Sequence, residues 1–146
     1  MITQTAEYAL RAIVFLADQN GVPHTTQQIA EVTRVPAGYL AKVMQRLSRA
    51  KIVKARRGLN GGFTLINEPS KLSVLAVIDA VDPIQRFHEC PLGIDSHGAT
   101  LCPLHRKLDD AGKAAEEAFG DTTIEELISV PKSRKPLCRF PLKRKE

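Results

Sequence analysis

The order of punctuation between Thr25 and Ile66 constrains the fold of this chain more than any other feature. Thr25 with Gln28 three residues on forms a capping box, the signature of a helix start. Ile29, Ala30 and Val32 give that helix its apolar side, and it ends near Thr33. After the short link Arg34-Val35, Pro36 stands where proline is tolerated, in the first turn of a following helix. Leu40, Val43, Met44 and Leu47 then repeat at i, i+3, i+4, i+7 and predict an amphipathic helix. Ile52–Arg56 is a β-type run, residues 57–62 are turn-rich with Asn60-Gly61, and Phe63–Ile66 is a second β-type run; this predicts a hairpin. Helix, tight turn, helix and hairpin in that order predict a winged helix-turn-helix.

The flanking segments fit around this unit. A first helix is predicted over Thr5–Asn20, with Ala6, Leu10, Ile13, Val14 and Ala17 at helical spacing; Asn20-Gly21 and Pro23 stop it. It holds Glu7 and Arg11 and has no basic leader, so it reads as a helix of the mature protein, not a signal peptide. Ser73 caps a fourth helix carrying Val74, Val77, Ile78 and Val81, with Leu72 and Val77 placed as a hydrophobic staple and Asp82-Pro83 as its end. Residues 83–101 read as a long loop, a length often tied to function. A fifth helix starts near Cys102-Pro103 and closes at Gly120. Its Leu104, Leu108, Ala111, Ala115 and Ala118 form a heptad-like seam, for a partner helix or for the chain's own core. Thr122 with Glu125 is expected to cap a last short helix bearing Ile124, Leu127 and Ile128. No internal repeat or low-complexity tract is visible.

The fold class expected is therefore mainly α: a winged helix-turn-helix with a two-stranded β-hairpin wing and a long C-terminal dimerisation helix. The divisions are 1–81 for DNA binding, 82–101 for a cysteine-bearing sensor loop, 102–130 for dimerisation and 131–146 for a basic, flexible tail.

Charge points to the partner. The net charge of +5 hides a segment, residues 32–67, with eight bases and no acid, while residues 68–130 hold five bases and twelve acids. A basic structured segment is the electrostatic footprint of nucleic-acid binding. The second helix of a helix-turn-helix lies in the major groove with its N-terminal residues against base edges. Ala37 and Gly38, just after Pro36, are small enough for close approach; Tyr39, Lys42, Gln45 and Arg46 are long enough to reach bases. Thr26 and Gln27 head the preceding helix, where open N–H groups suit a phosphate. Arg56 and Arg57 flank a narrow tip with Asn60 and Gly61, a shape suited to a minor groove. The expected partner is a double-stranded DNA operator. No Gly-rich phosphate loop precedes a helix and no nucleophile–base constellation stands at motif spacing, so an enzyme is not expected. A protein-only interaction module is the remaining alternative. Without an apolar run long enough to span a bilayer, no membrane partner is expected and the location is cytoplasmic.

Three cysteines without a secretion signal favour a reducing compartment, with thiols or metal ligands in place of a disulfide framework. Cys90 and Cys102 both stand in Cys-Pro-Leu and bracket the loop. Cys102 opens a helix, where the dipole favours thiolate, and His105 lies one turn on. Thiolate plus imidazole suits zinc or an iron–sulfur cluster; inert or oxidisable thiols are the other reading.

The stretches TAEYALRAIVFLA, IAEVTRVPAGYLAKVMQRLSRAKIV, RRGLNGGFTL, LSVLAVIDAVD, CPLHRKL and TTIEELI, spread over residues 2–130, resemble the Rrf-two family of bacterial transcription regulators. The resemblance implies a homodimer joined through the fifth helix, a partly palindromic operator and, in many members, an iron–sulfur cluster that senses iron, nitric oxide or redox state. Others carry no cluster and act through protein partners or other signals. Cluster-binding relatives commonly have three loop cysteines; here Ser96 stands about where the middle one falls, with His97 beside it. Some relatives complete a [2Fe-2S] cluster with a carboxylate from the partner's first helix, and Glu7 occupies that place. A histidine that some members use near the second helix is replaced by Thr33. By resemblance the ligand set is Cys90, Cys102, His105 (or His97) and Glu7 of the other subunit. Cys138 lies in the tail and enters no site.

Overall fold

The computed structural model describes residues 1–97, 100–131 and 136. The predicted tail, with Cys138, lies almost wholly outside the described residues. The elements run α1 (Gln4–Asp18), α2 (Thr26–Thr33), α3 (Ala37–Arg49), β1 (Val53–Arg56), β2 (Gly62–Leu65), α4 (Val74–Val81), α5 (Pro103–Gly120) and α6 (Ile124–Ile128), with single 3-10 turns at Pro69–Lys71 and Asp95–His97. This is the mainly helical winged helix-turn-helix read from the sequence.

Local chemistry sets the boundaries. Thr3 caps α1 through the Ala6 N–H, and Asn20 (φ 51) and Gly21 (φ 81) turn the chain away after Gln19. At α2 both halves of the capping box form: the Gln28 N–H donates to Thr25 Oγ1 at 3.2 Å, and the Thr25 N–H to Gln28 Oε1 at 3.0 Å. Pro36 sits one residue earlier than expected, as the N-cap of α3 rather than in its first turn. Ser73 caps α4 through the Ala76 N–H at 3.1 Å, and both staple residues, Leu72 and Val77, are buried.

One local reading needs correction. The cap of α6 is Thr123, whose hydroxyl accepts from the Glu126 N–H at 3.2 Å, one residue on from the expected Thr122–Glu125 pair. The reason is an antiparallel bridge between Ser73 and Thr123 that holds residues 122–124 extended against the start of α4. Thr122 instead donates its hydroxyl back to the Ala118 carbonyl. The turn-rich segment closes the hairpin as expected. The tip spans residues 57–61, with Asn60 at φ 59, Gly58 at φ 96 and the Gly61 N–H donating to the Gly58 carbonyl. A Cβ on Gly61 would lie 2.3 Å from the Arg56 carbonyl oxygen, so this tight tip requires glycine there.

The core is aliphatic. Ile13, Ile29, Leu40, Val43, Met44, Leu47, Val53, Val77, Ile78 and Ile124 are its largest fully buried apolar side chains, drawn from α1 to α4, β1 and α6. Each such residue contributes about 1.5–3 kcal/mol through burial. α1 and α4 form the hub: α1 packs against α2, α3, α4 and α6, and α4 against α1, α3 and α5. The wing is fastened by an element the sequence reading did not contain. His24 pairs with Phe63 in both directions, at 2.7 and 3.2 Å, so the link between α1 and α2 acts as a third edge of the hairpin.

Candidate nucleic-acid interface and cysteine loop

The two helices of the reading unit meet at a turn set by Arg34, which closes α2 in the left-handed conformation (φ 57), and by Val35, which is buried. The buried stripe of α3 commits its other side to solvent. Ala37, Gly38, Tyr39, Lys42 and Gln45 are exposed in a row along that side, and nothing occupies the space a Cβ on Gly38 would take. Gln27 is exposed and Thr26 half-buried at the start of α2, next to the wing. Arg56, Arg57 and Asn60 are exposed at the hairpin tip, and Gly61 is half-buried. A cleft of about 630 Å³ runs between the start of α2 and the tip, lined by Thr25, Gln28, Arg56 and residues 58–62. The structure thus places the sequence-selected residues of α2, α3 and the wing on accessible surface.

Two of them are also employed within the chain. The Tyr39 hydroxyl hydrogen-bonds Thr5 Oγ1, and its ring stands edge-on to Tyr8 at 5.5 Å. Arg46 donates from Nη1 to the Val81 carbonyl at 2.7 Å, at the C-terminal end of α4. There a guanidinium satisfies an open carbonyl and the negative end of the helix dipole. In this conformation Arg46 is a strut between α3 and α4.

The four residues expected to hold a cluster are not gathered within one chain. Cys102 is the N-cap of α5, and its Sγ lies 3.1 Å from His105 Nδ1. The His105 ring packs on Phe87 at 5.3 Å. Cys90 is buried in the loop. Glu7 is engaged on α1 by Arg11 Nε at 2.7 Å, and Arg11 also donates to the Thr33 carbonyl at 3.1 Å. Among the described residues no three His, Cys, Asp or Glu side chains form a metal-holding group. Of the set, Cys102 and His105 are in contact. Their donor chemistry suits iron or zinc, but one chain does not close a ligand shell.

Sequence reasoning missed a cluster one turn further along α5. Arg86 donates to both oxygens of Asp109, at 2.7 and 3.0 Å, and to Glu116 Oε2 at 2.7 Å. Asp109 Oδ1 also accepts the Phe87 N–H at 2.9 Å. Asp109 and Glu116 read from sequence as a solvated helix surface; their side chains are instead only 17% and 31% exposed. The Arg86 hydrogen bonds and the Phe87 N–H hold the Asp109 carboxyl well below the usual carboxylate range, and the two carboxylates raise the Arg86 guanidinium. Asp79 on α4 is shifted upward by burial and, second, by the charge of Glu116. A signal existed in the sequence: Arg86 is the single base between Lys71 and Arg106, and Asp109 and Glu116 are two helical turns apart.

A winged helix-turn-helix with an exposed, acid-free recognition helix and an arginine-bearing wing defines a class, the helix-turn-helix transcription regulators. A family model described as Rrf2, iron-dependent transcriptional regulator, matches residues 2–130. The chain belongs to the Rrf2 family and is a transcription regulator, not an enzyme. It is 33% identical over 132 residues to the HTH-type transcriptional repressor NsrR of Streptomyces coelicolor, covering 89% of each chain. It is 29% identical over 128 residues to the HTH-type regulator IscR of Vibrio atlanticus, covering 87% of this chain and 74% of that one. Among solved structures, CymR (YrzC), the global cysteine regulator of B. subtilis, superposes with a TM-score of 0.70 at 26% identity, covering 87% of this chain and 95% of that one. Among the described residues, no helix is long and apolar enough to cross a membrane.

Proposed function

We propose that this regulator is a cytoplasmic homodimeric repressor that reads a partly palindromic duplex operator. Residues 1–81 bind the DNA, residues 82–101 sense a signal, residues 102–130 join two copies and the basic tail adds non-specific affinity. The observation that carries the DNA reading is the row Ala37, Gly38, Tyr39, Lys42 and Gln45 on the open side of α3, beside the Arg56–Arg57 wing. Lys42 and Gln45 are assigned to base edges in the major groove. The wing arginines are assigned to the narrow groove beside it, and Thr26 and Gln27 to a phosphate. The dimer reading rests on Leu104 and Leu108, 63% and 47% exposed on α5. Ala111 and Ala118 continue that open stripe, whereas Ala115 turns inward to the chain's own core.

For the sensor, the reading is a [2Fe-2S] cluster held by Cys90, Cys102, His105 and Glu7 of the other subunit. It is supported by the Cys102–His105 contact and by the family's description. When bound, such a cluster would supply a redox- and loss-sensitive group. Within this chain, His105 orients against Phe87 and Cys102, and Arg11 holds Glu7 in place.

Selection from a random duplex library, followed by binding of the enriched duplex at several salt concentrations, tests the DNA reading. Replacing Lys42 and Arg57 together by alanine should weaken binding by at least tenfold. Unchanged occupancy by the double variant would remove the assignment. Anaerobic purification with visible absorption, iron and sulfide assays tests the cluster separately; a colourless, iron-free protein removes it and leaves the DNA reading standing.

A further inference from the structure

A strap of seven residues joins the recognition helix to the sensor end of α5. Its first residue, Val81, is held to α3 by Arg46 through the 2.7 Å bond to its carbonyl. Its far end is held to α5 by the Arg86 fork on Asp109 and Glu116 and by the Phe87 N–H on Asp109. Between these anchors the strap lies hard against α5. A Cβ on Gly112 would stand 2.9 Å from the Gln85 carbonyl oxygen and 3.1 Å from Arg86 Cδ. Ile84 is buried and joins the main core. Phe87, the last strap residue, packs on the His105 ring, whose Nδ1 meets Cys102 Sγ.

We propose that residues 81–87 are the coupling element between the Cys102–His105 end of α5 and the recognition helix, with Arg46 and Arg86 as its two positioning residues. The inference rests on the DNA reading above and names how that site is regulated. The physical basis is continuity of stiff contacts. Apart from the apolar packing of Val81 and Ile84 in the core, the anchors are charge-assisted bonds, which are short and directional. A one-turn shift at the start of α5 cannot leave Phe87 and Arg86 in place, and Arg86 cannot move far without pulling on Val81. Arg46 is then released from Val81 or drags α3 with it. Such a path counts as coupling only if cutting it uncouples the two ends.

Linkage supplies the test, because coupling between two sites is reciprocal. Full-length protein is saturated with the duplex enriched by selection, and amide hydrogen exchange is followed peptide by peptide. In the unaltered chain, DNA should slow exchange across residues 87–106 by about fivefold, corresponding to roughly 1 kcal/mol of coupling. In Arg86→Met, and independently in Arg46→Met, that slowing should fall below twofold at saturating DNA. Protection of α3 itself should persist in Arg86→Met, and in Arg46→Met once duplex is raised until binding is again saturated. Arg86→Lys keeps the charge but cannot bridge both carboxylates as a fork does, and should restore only part of the effect. Arg46→Met, which removes one part-buried hydrogen bond, answers the question if Arg86→Met fails to fold. Slowing over 87–106 of equal size in the folded variants would mean direct shielding by DNA and would overturn the proposal, as would no slowing in the unaltered chain bound to DNA. Failure of the unaltered chain to enrich or bind any duplex would instead strike the DNA reading.

Discussion

Residues 1–81, proposed to read DNA, and residues 82–120, which include the proposed sensor, are held together in different ways. In residues 1–81, four helices and the first strand of the wing contribute interdigitated aliphatic side chains to one core. In residues 82–120, α5 adds only Gly112 and Ala115 to the buried set, and its attachment to the body combines a contact with α4 and the Arg86 ion pairs of the strap. Apolar packing is non-directional, dense and costly to rearrange. A few charge-assisted bonds are directional and can exchange partners as a unit. A regulator needs a reading surface that keeps its shape and a sensor that can change register against it, and the division of forces along this chain suits both proposed roles.

The comparison breaks first if the two halves respond alike to loss of an apolar side chain. Leu47→Ala in α3 should lower the unfolding free energy by about 2–5 kcal/mol, measured by urea denaturation, because a fully buried leucine leaves a cavity. Leu108→Ala in α5 should change the stability of the isolated chain by less than about 0.5 kcal/mol, as an exposed surface position does. A loss from Leu108→Ala as large as that from Leu47→Ala, at concentrations where the chain is monomeric, would mean that α5 belongs to the core. The same α5 residues should matter for association. Leu104→Asp with Leu108→Asp should weaken self-association by roughly 100-fold or more in sedimentation experiments, since each leucine buried in a seam contributes about 1.5–3 kcal/mol. An unaltered dimer in that double variant would place the interface elsewhere.

The same division explains what was legible in the sequence. Periodicity and capping report local rules, so α1 to α5 and the hairpin could be read within a residue or two. The stripe Leu40, Val43, Met44 and Leu47 was visible because one helix carries it whole. The features that escaped are non-local. The His24–Phe63 pairing joins residues far apart in the chain, and the Ser73–Thr123 bridge moved the cap of α6 by one residue. The Arg86 clamp brings a loop residue onto two acids more than twenty positions away. Local pattern cannot distinguish those acids from solvated ones. Exposed positions on α3 followed directly from its buried stripe, but the engagement of Arg46 by Val81 needed the packing of α4. The ligand set suggested by resemblance draws on α1 of a second copy, on the loop and on α5, and sequence spacing does not measure the separation between such pieces.

Charge on the reading surface gives a smaller and more specific effect. Arg57→Ala at the wing tip should weaken DNA binding by about tenfold at low salt, with the loss shrinking as salt rises. If the arginine meets a phosphate, the slope of log affinity against log salt should fall by about 0.9 for the contact removed. Lys54→Ala on β1, also exposed but on the opposite side of the paired strand from Ala55, serves as a partner measurement. Equal losses from both would mean that the hairpin binds as a diffuse charge, not through its tip.

The weakest effect separates the two halves by pH. Asp109 is held below the usual carboxylate range by Arg86 and the Phe87 N–H. A carboxyl with a depressed folded value stabilises the folded state above its unfolded value, near 4. It loses that contribution as pH falls through the lower, folded value. The difference in stability between the unaltered chain and Asp109→Asn should therefore be constant from about pH 8 to pH 5 and close up in more acidic solution. Asp79 works in the other direction. Burial and the charge of Glu116 raise its folded value, so its contribution is full at low pH and is lost as pH rises through that value. Asp79→Asn should thus stabilise the protein slightly at neutral pH and lose that advantage in acid. Leu47→Ala, acting through apolar packing alone, should show the same deficit at every pH. A difference that already changed between pH 8 and 6 would mean that Asp109 does not carry the pH dependence of the clamp.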